Sequence, residues 1–273
     1  MFQTFSNMAF LNDFFATIFS GLFRKPSIST IHGGAFTEFY AKYPKFISYV
    51  LKKSTILTSP SHFLTNYLNS KGHKVKYLPN FIEIQKFPYK WQPTGAHKLL
   101  WVRAFTEIYK PEMAIRLVAN LKAQYPQIKL TMVGPDMGKL EDCKILIQKL
   151  GVSDNIELTG KIPNNELNHY YSTHSVYINT TSYESFGVAL VEAACSGIPI
   201  VSTGVGEIPY MWTNKEDMLL AEDKDEEGFY QNVHLLLQDA DLQIKLSKNA
   251  RIKAEKYSWE NVKSQWDELI EKA

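Results

Sequence analysis

Glu184 and Glu192 bracket the run Ser185-Phe186-Gly187-Val188-Ala189-Leu190-Val191, and the types and spacing of these residues define a binding chemistry. Gly187 lets a ligand approach the backbone with no Cβ in the way. Val188 to Ala194 place apolar and small residues at helical spacing, which predicts a helix starting near Phe186. The first N–H groups of such a helix lack intrahelical acceptors and sit at the positive end of its dipole, a setting that suits a diphosphate. Carboxylates accept hydrogen bonds from paired hydroxyls, so the two glutamates fit diols on either side of the phosphates. Eight helical steps would separate them by about 12 Å, an upper figure because Glu184 is read as part of the preceding loop. That span fits a sugar and a ribose joined through a diphosphate. A plainer reading fits the same residues, with one glutamate at a helix start and the other on a solvated face.

The chain continues as Ala193-Ala194-Cys195-Ser196-Gly197-Ile198-Pro199-Ile200-Val201 and then Gly204-Val205-Gly206-Glu207-Ile208-Pro209. In this order of elements it resembles the retaining family 4 glycosyltransferases, which have the GT-B fold and a Glu-x7-Glu motif. The resemblance spans roughly residues 27–270 and is strongest over 98–210. It implies an α/β fold of two Rossmann-like parallel-sheet domains, and transfer of a sugar from a nucleotide diphosphate sugar to an acceptor hydroxyl with retention. The acceptor would be a glycan, a lipid-linked molecule or a small molecule. No cofactor and no metal are expected, the nucleotide sugar being a co-substrate. Glu184 would then bind the transferred sugar and Glu192 the ribose. Phe186, Gly187, Val188, Ala189, Gly134 and Gly160 complete the expected donor-binding set.

Other residues bear on the same chemistry. Arg103 and Lys110 follow the apolar strand Leu99-Leu100-Trp101-Val102, so both cations fall at the carboxyl edge of a parallel sheet, where ligands collect. They would neutralise a leaving diphosphate, although solvated loop cations fit too. The family carries Gly-Arg here with a Lys about five residues on; this chain has Val102 in place of the glycine and a gap of seven. His32-Gly33-Gly34 follows the strand Ser27–Ile31. By resemblance His32 stands beside the donor phosphates and the acceptor, whereas by residue type alone it reads as a turn histidine. The loop Gly204–Tyr210 departs from the family's Gly-Gly-x-Pro-Glu, with Glu207 at the second glycine and Tyr210 at the acid.

Charge divides the chain. Residues 1–98 hold twelve Lys and Arg against three acids, net +9, and residues 99–273 hold 18 against 25, net −7. The break coincides with a Pro- and Gly-containing stretch, 86–97, read as a linker between a partial acceptor-side domain, 1–85, and a donor-binding domain, 98–257. In the second domain, strands are predicted at Lys98–Val102, Lys129–Val133, Asn155–Leu158, Ser175–Ile178, Ile198–Ser202 and Asp217–Leu220. Helices are predicted near 111–125, 139–150, 164–172, 187–197 and 225–239, and this alternation means a doubly wound parallel sheet. The first domain should hold helices near 9–23, 44–52 and 61–70 and strands Ser27–Ile31, Thr55–Thr58 and Val75–Leu78. By resemblance the N-terminal domain lacks its opening units, including a glycine-rich loop, so it is expected to be incomplete and the chain truncated there. A C-terminal helix over 258–273, beginning Ser258-Trp259, is expected to pack back toward the N-terminal domain, which implies a complete C-terminus.

Two cysteines without metal-ligand spacing point to a reducing, cytoplasmic compartment. Met1–Phe23 lacks the basic start of a secretory signal, and Asn12 and Asp13 break its apolar run, so a core helix is expected ahead of an interfacial one. The basic stretch Lys42–Lys76 carries no nucleic-acid motif, and no nucleic-acid partner is expected; a peripheral contact with the anionic inner membrane face remains open beside a solvated positive face. Asp239-Ala240-Asp241 reads as a solvated turn rather than a metal motif. Two alternatives to the transferase stay open: a truncated nucleotide-sugar-binding module or half of a two-chain assembly, and an epimerase, for which no acidic base cluster is evident.

Overall fold

In the computed structural model, which describes residues 2–4, 10–33, 35–93 and 95–272, the chain divides into two compact units. One runs to Phe81 and takes in Glu184–Phe186 and the stretch from Trp259 onward; the other comprises Ile82–Tyr183 and Gly187–Ser258.

The first unit holds a four-stranded parallel sheet in the order β1-β2-β3-β4, made of β1 (Phe2–Thr4), β2 (Ile28–Ile31), β3 (Ile56–Ser59) and β4 (Val75–Tyr77). Between them run α1 (Phe10–Leu22), α2 (Phe36–Lys42), α3 (Pro44–Leu51) and α4 (His62–Ser70). Phe10, Ile31, Phe36, Ile47 and Leu64 fill its core, and the C-terminal helix, Trp259–Glu271, packs Leu269 and Trp266 with Ile28, Ile56 and Leu78. The sequence pattern misses β1 and α2. Pro44 divides the apolar run from Phe36 to Leu51 into two helices, because it offers no N–H and fits only the first turn of the second.

Helix α1 meets the expectation of a core helix on one face only, where Phe10 enters the core and Phe14 packs against it. It buries Phe10, Asp13 and Thr17 and leaves Phe15, Phe19 and Leu22 exposed. Its apolar residues span more of the circumference than one packing face can cover, so a second apolar stripe faces outward. Residue 9, where that helix was expected to begin, lies outside the described residues.

The second unit is a six-stranded, wholly parallel sheet. Its strands are β5 (Lys98–Val102), β6 (Lys129–Val133), β7 (Ile156–Gly160), β8 (Val176–Asn179), β9 (Ile200–Thr203) and β10 (Leu219–Ala221), in the order β10-β9-β8-β5-β6-β7. Helices α5 (Pro111–Leu121), α6 (Leu140–Lys149), α7 (Asn164–Thr173), α8 (Val188–Ser196), α9 (Ile208–Met211), α10 (Glu226–Gln238) and α11 (Ala240–Ala254) complete it. Strands β8 and β9 are buried throughout, as a sheet covered on both faces requires. The chain builds outward from β5 through β6 and β7, then places β8 on the other side of β5. That reversal is the doubly wound switch point, and it opens a crevice at the carboxyl ends of β5 and β8.

Strand limits differ from the sequence reading where polar residues turn away from the ladder. The strand expected from Asn155 begins at Ile156, because Asn155 closes a short 3₁₀ turn and donates to the Ile128 carbonyl at 2.8 Å. The strand expected from Asp217 begins at Leu219, since the Asp217 carboxylate accepts from the Thr213 amide at 2.9 Å and pairs with Lys253 at 2.5 Å. The stretch read as a linker is instead a strap on the second unit. Phe87 and Trp91 are buried, the Trp91 indole donates to the His174 carbonyl at 2.9 Å, and Arg251 donates to the Phe87 carbonyl at 3.0 Å. Asp239 caps α11, accepting from the Leu242 amide at 2.8 Å, a structural use for the Asp-x-Asp stretch.

Candidate active site

Arg103 stands one residue past β5, at the switch point. Its amide donates to the Val133 carbonyl at 2.9 Å, its Nε to Asn179 Oδ1 at 3.0 Å, and its guanidinium lies over the Tyr109 ring at 5.1 Å. Asn179 in turn donates to Ser202 Oγ at 2.8 Å, so one hydrogen-bonded line ties the carboxyl ends of β5, β8 and β9. A cation held this way loses little side-chain freedom when it meets an anion.

Gly134 follows β6 on the other side of Arg103. A Cβ there would stand 1.8 Å from the Arg103 carbonyl oxygen, and its φ of +153° suits glycine. Its N–H donates to the Gly160 carbonyl at 2.9 Å. Arg103, Gly134 and Gly160 therefore form a continuous backbone rim at the ends of β5, β6 and β7.

Helix α8 starts at Val188 rather than near Phe186, because Gly187 turns left-handed at φ +85° and caps it. The Leu190 and Val191 amides donate back to the Gly187 carbonyl at 2.9 and 3.1 Å. The Val188 and Ala189 amides precede the intrahelical ladder, and the exposed Val188 marks an open helix end of positive potential. Only the four steps from Val188 to Glu192 are helical, a rise of about 6 Å, so the helical spacing expected over the whole run from Glu184 does not hold.

Glu192, in the second turn of α8, is buried and accepts from the Tyr171 hydroxyl of α7 at 3.3 Å. Burial pushes its carboxyl up to about 7, while the Tyr171 hydrogen bond and the charge of Arg103 pull it back down. Desolvation likewise holds the Tyr171 hydroxyl well above its ordinary range. Lys110, the left-handed residue before α5 (φ +43°), is not an open cation: its ammonium pairs with Asp223 at 2.6 Å. Sequence reasoning passed over Tyr171, Asn179, Tyr109 and Asp223, since an isolated aromatic or polar residue at a strand end or on a helix carries no periodic signal.

The remaining expected site residues belong to the first unit. Glu184 is buried, and its Oε1 accepts from the Ser185 amide at 3.1 Å and the Phe186 amide at 3.4 Å, which holds the loop. The Phe186 side chain is buried, so its expected donor contact is left to its backbone. His32, just after β2, donates its backbone N–H to the Thr4 carbonyl at 2.8 Å, and burial pushes its imidazole below the usual range. Gly33 follows at φ +92°, and Gly34 lies outside the described residues. In the departing loop, Glu207 is buried at the start of α9 and Tyr210 is exposed. Among the described residues, no group of three or more His, Cys, Asp or Glu is placed to hold a metal ion.

Residues 84–253 match the model of the glycosyl transferases group 1 family. The chain belongs to that family. Over 183 residues it is 28% identical to the D-inositol 3-phosphate glycosyltransferase of Corynebacterium urealyticum, a match covering 65% of this chain and 43% of that protein. The chain spans less than half the length of such relatives. Its fold is that of sucrose-phosphate synthase from Thermosynechococcus elongatus (TM-score 0.83, 20% identity, 98% of this chain and 72% of that one). It is equally that of Anabaena HepE in complex with UDP-glucose (TM-score 0.84, 16% identity, 99% of this chain and 79% of that one). The two parallel sheets thus make an α/β fold of the GT-B kind.

Proposed function

We propose that this group 1 glycosyltransferase chain binds a nucleotide diphosphate sugar at the switch point of its second unit and transfers the sugar, with retention, to an acceptor hydroxyl. The observation that carries the reading is the junction of Arg103, Gly134 and Asn179 at the carboxyl ends of β5, β6 and β8. There a fixed guanidinium stands at the crevice where doubly wound sheets take their ligands. Departure of the diphosphate is the hard step, because charge builds on its bridging oxygen as the bond to the sugar breaks. Arg103 and the Val188 and Ala189 amides offset that charge, and Lys110 joins them on release from Asp223.

Glu192 accepts the ribose hydroxyls, with Tyr171 fixing its carboxyl. Glu184 receives the hydroxyls of the transferred sugar and His32 lies toward the acceptor, both by the Glu-x7-Glu and His-Gly resemblance. The HepE complexes with UDP and UDP-glucose support a uridine nucleotide as the first donor to try. Divalent metal is dispensable in this reading. The test is turnover: UDP-, GDP- and ADP-sugars are offered with glycan and lipid-linked acceptors in EDTA, and released nucleoside diphosphate and product stereochemistry are read by NMR. Release of nucleotide with a retained anomeric centre supports the transferase. Donor binding without transfer or hydrolysis favours the binding-module alternative, and an inverted product overturns retention.

A further inference from the structure

Helix α1 carries a second apolar face besides the one that packs Phe10 and Phe14 into the core. Leu11, Phe15, Ile18, Phe19 and Leu22 recur at the spacing of one helix face and are all exposed, Phe15 by 54%, Phe19 by 56% and Leu22 by 72%. On the other side Asp13 and Thr17 are buried, at 5% and 3%. The Thr17 hydroxyl donates to the Asp13 carbonyl at 2.5 Å, so a polar edge is committed to the interior while the apolar stripe meets water. A contiguous stripe of this kind marks a surface that another apolar phase covers.

The stripe extends beyond the helix. Phe23 follows it with 69% exposure, and Tyr43, Phe46 and Tyr49 are exposed on and beside α3. The Phe46 ring lies 5.8 Å from the buried Phe10 and 5.5 Å from Phe14, which packs α3 against α1. Between them opens a cavity of about 590 Å³ lined by Leu11, Phe39, Tyr43 and Phe46, with Lys42 and Glu38 at its wall. Arg24, Lys25, Lys42 and Lys45 are all exposed in these segments. The acids available among the first 98 residues are Glu38, Glu83 and the buried Asp13.

We propose that this face of the first unit docks on an anionic lipid bilayer, with α1 lying in the interface plane. Aromatic and aliphatic side chains enter the headgroup boundary while the basic residues meet lipid phosphates. At 13 residues α1 reaches about 20 Å, short of a hydrocarbon core of roughly 30 Å, and no described helix is long and apolar enough to cross a membrane. A second copy of the chain is the poorer occupant: pairing two such patches would bring their Arg24, Lys25, Lys42 and Lys45 charges together. The docking goes beyond the transferase reading and involves no donor-binding residue of the second unit.

Flotation of the full chain with vesicles of phosphatidylcholine alone, and of phosphatidylcholine mixed with phosphatidylglycerol, tests it. The chain is expected to float with the anionic vesicles, less at high salt, and weakly or not at all with the neutral ones. The exposed triple change Phe15→Ser, Phe19→Ser, Leu22→Ser should cut partitioning by about tenfold or more, with the melting transition retained. Arg24→Gln with Lys25→Gln should cut it by about fivefold per charge at low salt. Nucleotide-sugar affinity in solution should be unchanged in both variants, which separates failure of this proposal from failure of the donor site. Absence from both vesicle fractions, flotation indifferent to the triple change, or a wild-type dimer that the triple change converts to a monomer would each overturn it.

Discussion

The Tyr171 hydroxyl donates to Glu192 Oε2 at 3.3 Å in the interior of the second unit, where both side chains are buried. Burial pushes the glutamate up to about 7, so near neutral pH a small change in surroundings sets whether it is an acid or a carboxylate. Only the carboxylate accepts from both hydroxyls of a diol.

Donor affinity should therefore rise with pH through about 7 and level off above it. Glu192→Gln should weaken binding by about tenfold at pH 8 and flatten the profile. Tyr171→Phe removes a donor that favours the charged form and should move the midpoint upward. The sign for stability is opposite. The folded state binds the proton more tightly than the unfolded chain, so the wild type loses stability relative to Glu192→Gln as pH rises from about 4.5 to about 7. Calorimetric titrations and thermal melts across pH check both.

Gly134→Ala should destabilise the second unit by roughly 3 kcal/mol and remove donor binding. A methyl 1.8 Å from the Arg103 carbonyl forces apart the ends of β5 and β6, which carry the guanidinium. Gly72→Ala, where no atom lies within 4 Å but φ is also positive, is the control for backbone strain alone. Equal losses of donor affinity in the two variants would remove the packing argument.

Lys110 can be separated into backbone and charge. At φ +43° a non-glycine residue is strained, and the ion pair with the partly exposed Asp223 contributes less than about 1 kcal/mol. Lys110→Gly should accordingly be more stable than Lys110→Ala by about 1 kcal/mol and melt at a higher temperature, while both weaken donor binding alike. If donor affinity is untouched in both, Lys110 serves only the fold.

His174 predicts an acid limit. Its Nε2 meets Thr131 Oγ1 at 2.9 Å and its Nδ1 the Tyr170 carbonyl at 2.8 Å, and burial, which outweighs the Tyr170 contact, pushes its pKa down to about 4. The folded state resists the proton that the unfolded chain accepts near 6.5, so this contribution is present above 6.5 and lost as pH falls toward 4. Melts of His174→Gln should lack that acid-side slope.

The sheet strands of the second unit were legible because each is a short apolar run between helical periods, and β5 and β6 lie where the alternation puts them. Arg103 was legible too, since a cation after the first strand of such a unit falls at the switch point whatever its neighbours. The partners of these residues were not. Tyr171 reaches Glu192 and Asp223 reaches Lys110 across 21 and 113 residues, and such pairings exist only once the helices are packed. Helix α1 was legible on its core face, through Phe10 and Phe14, and not on the other: periodicity reports that apolar residues exist and is silent on which phase covers those left outside the core. The strap at Phe87 and Trp91 was read as a linker because its prolines hide two anchoring aromatic residues.

Isothermal titration of UDP-glucose into the wild type and Arg103→Ala, in EDTA, asks whether Arg103 at the β5–β8 switch point holds the donor diphosphate, as proposed above. Saturable binding by the wild type is expected, with a loss of at least about tenfold in the variant while the second unit stays folded. An Arg103→Ala protein that binds the nucleotide sugar as tightly as the wild type would contradict it, as would a wild type that binds no UDP-, GDP- or ADP-sugar.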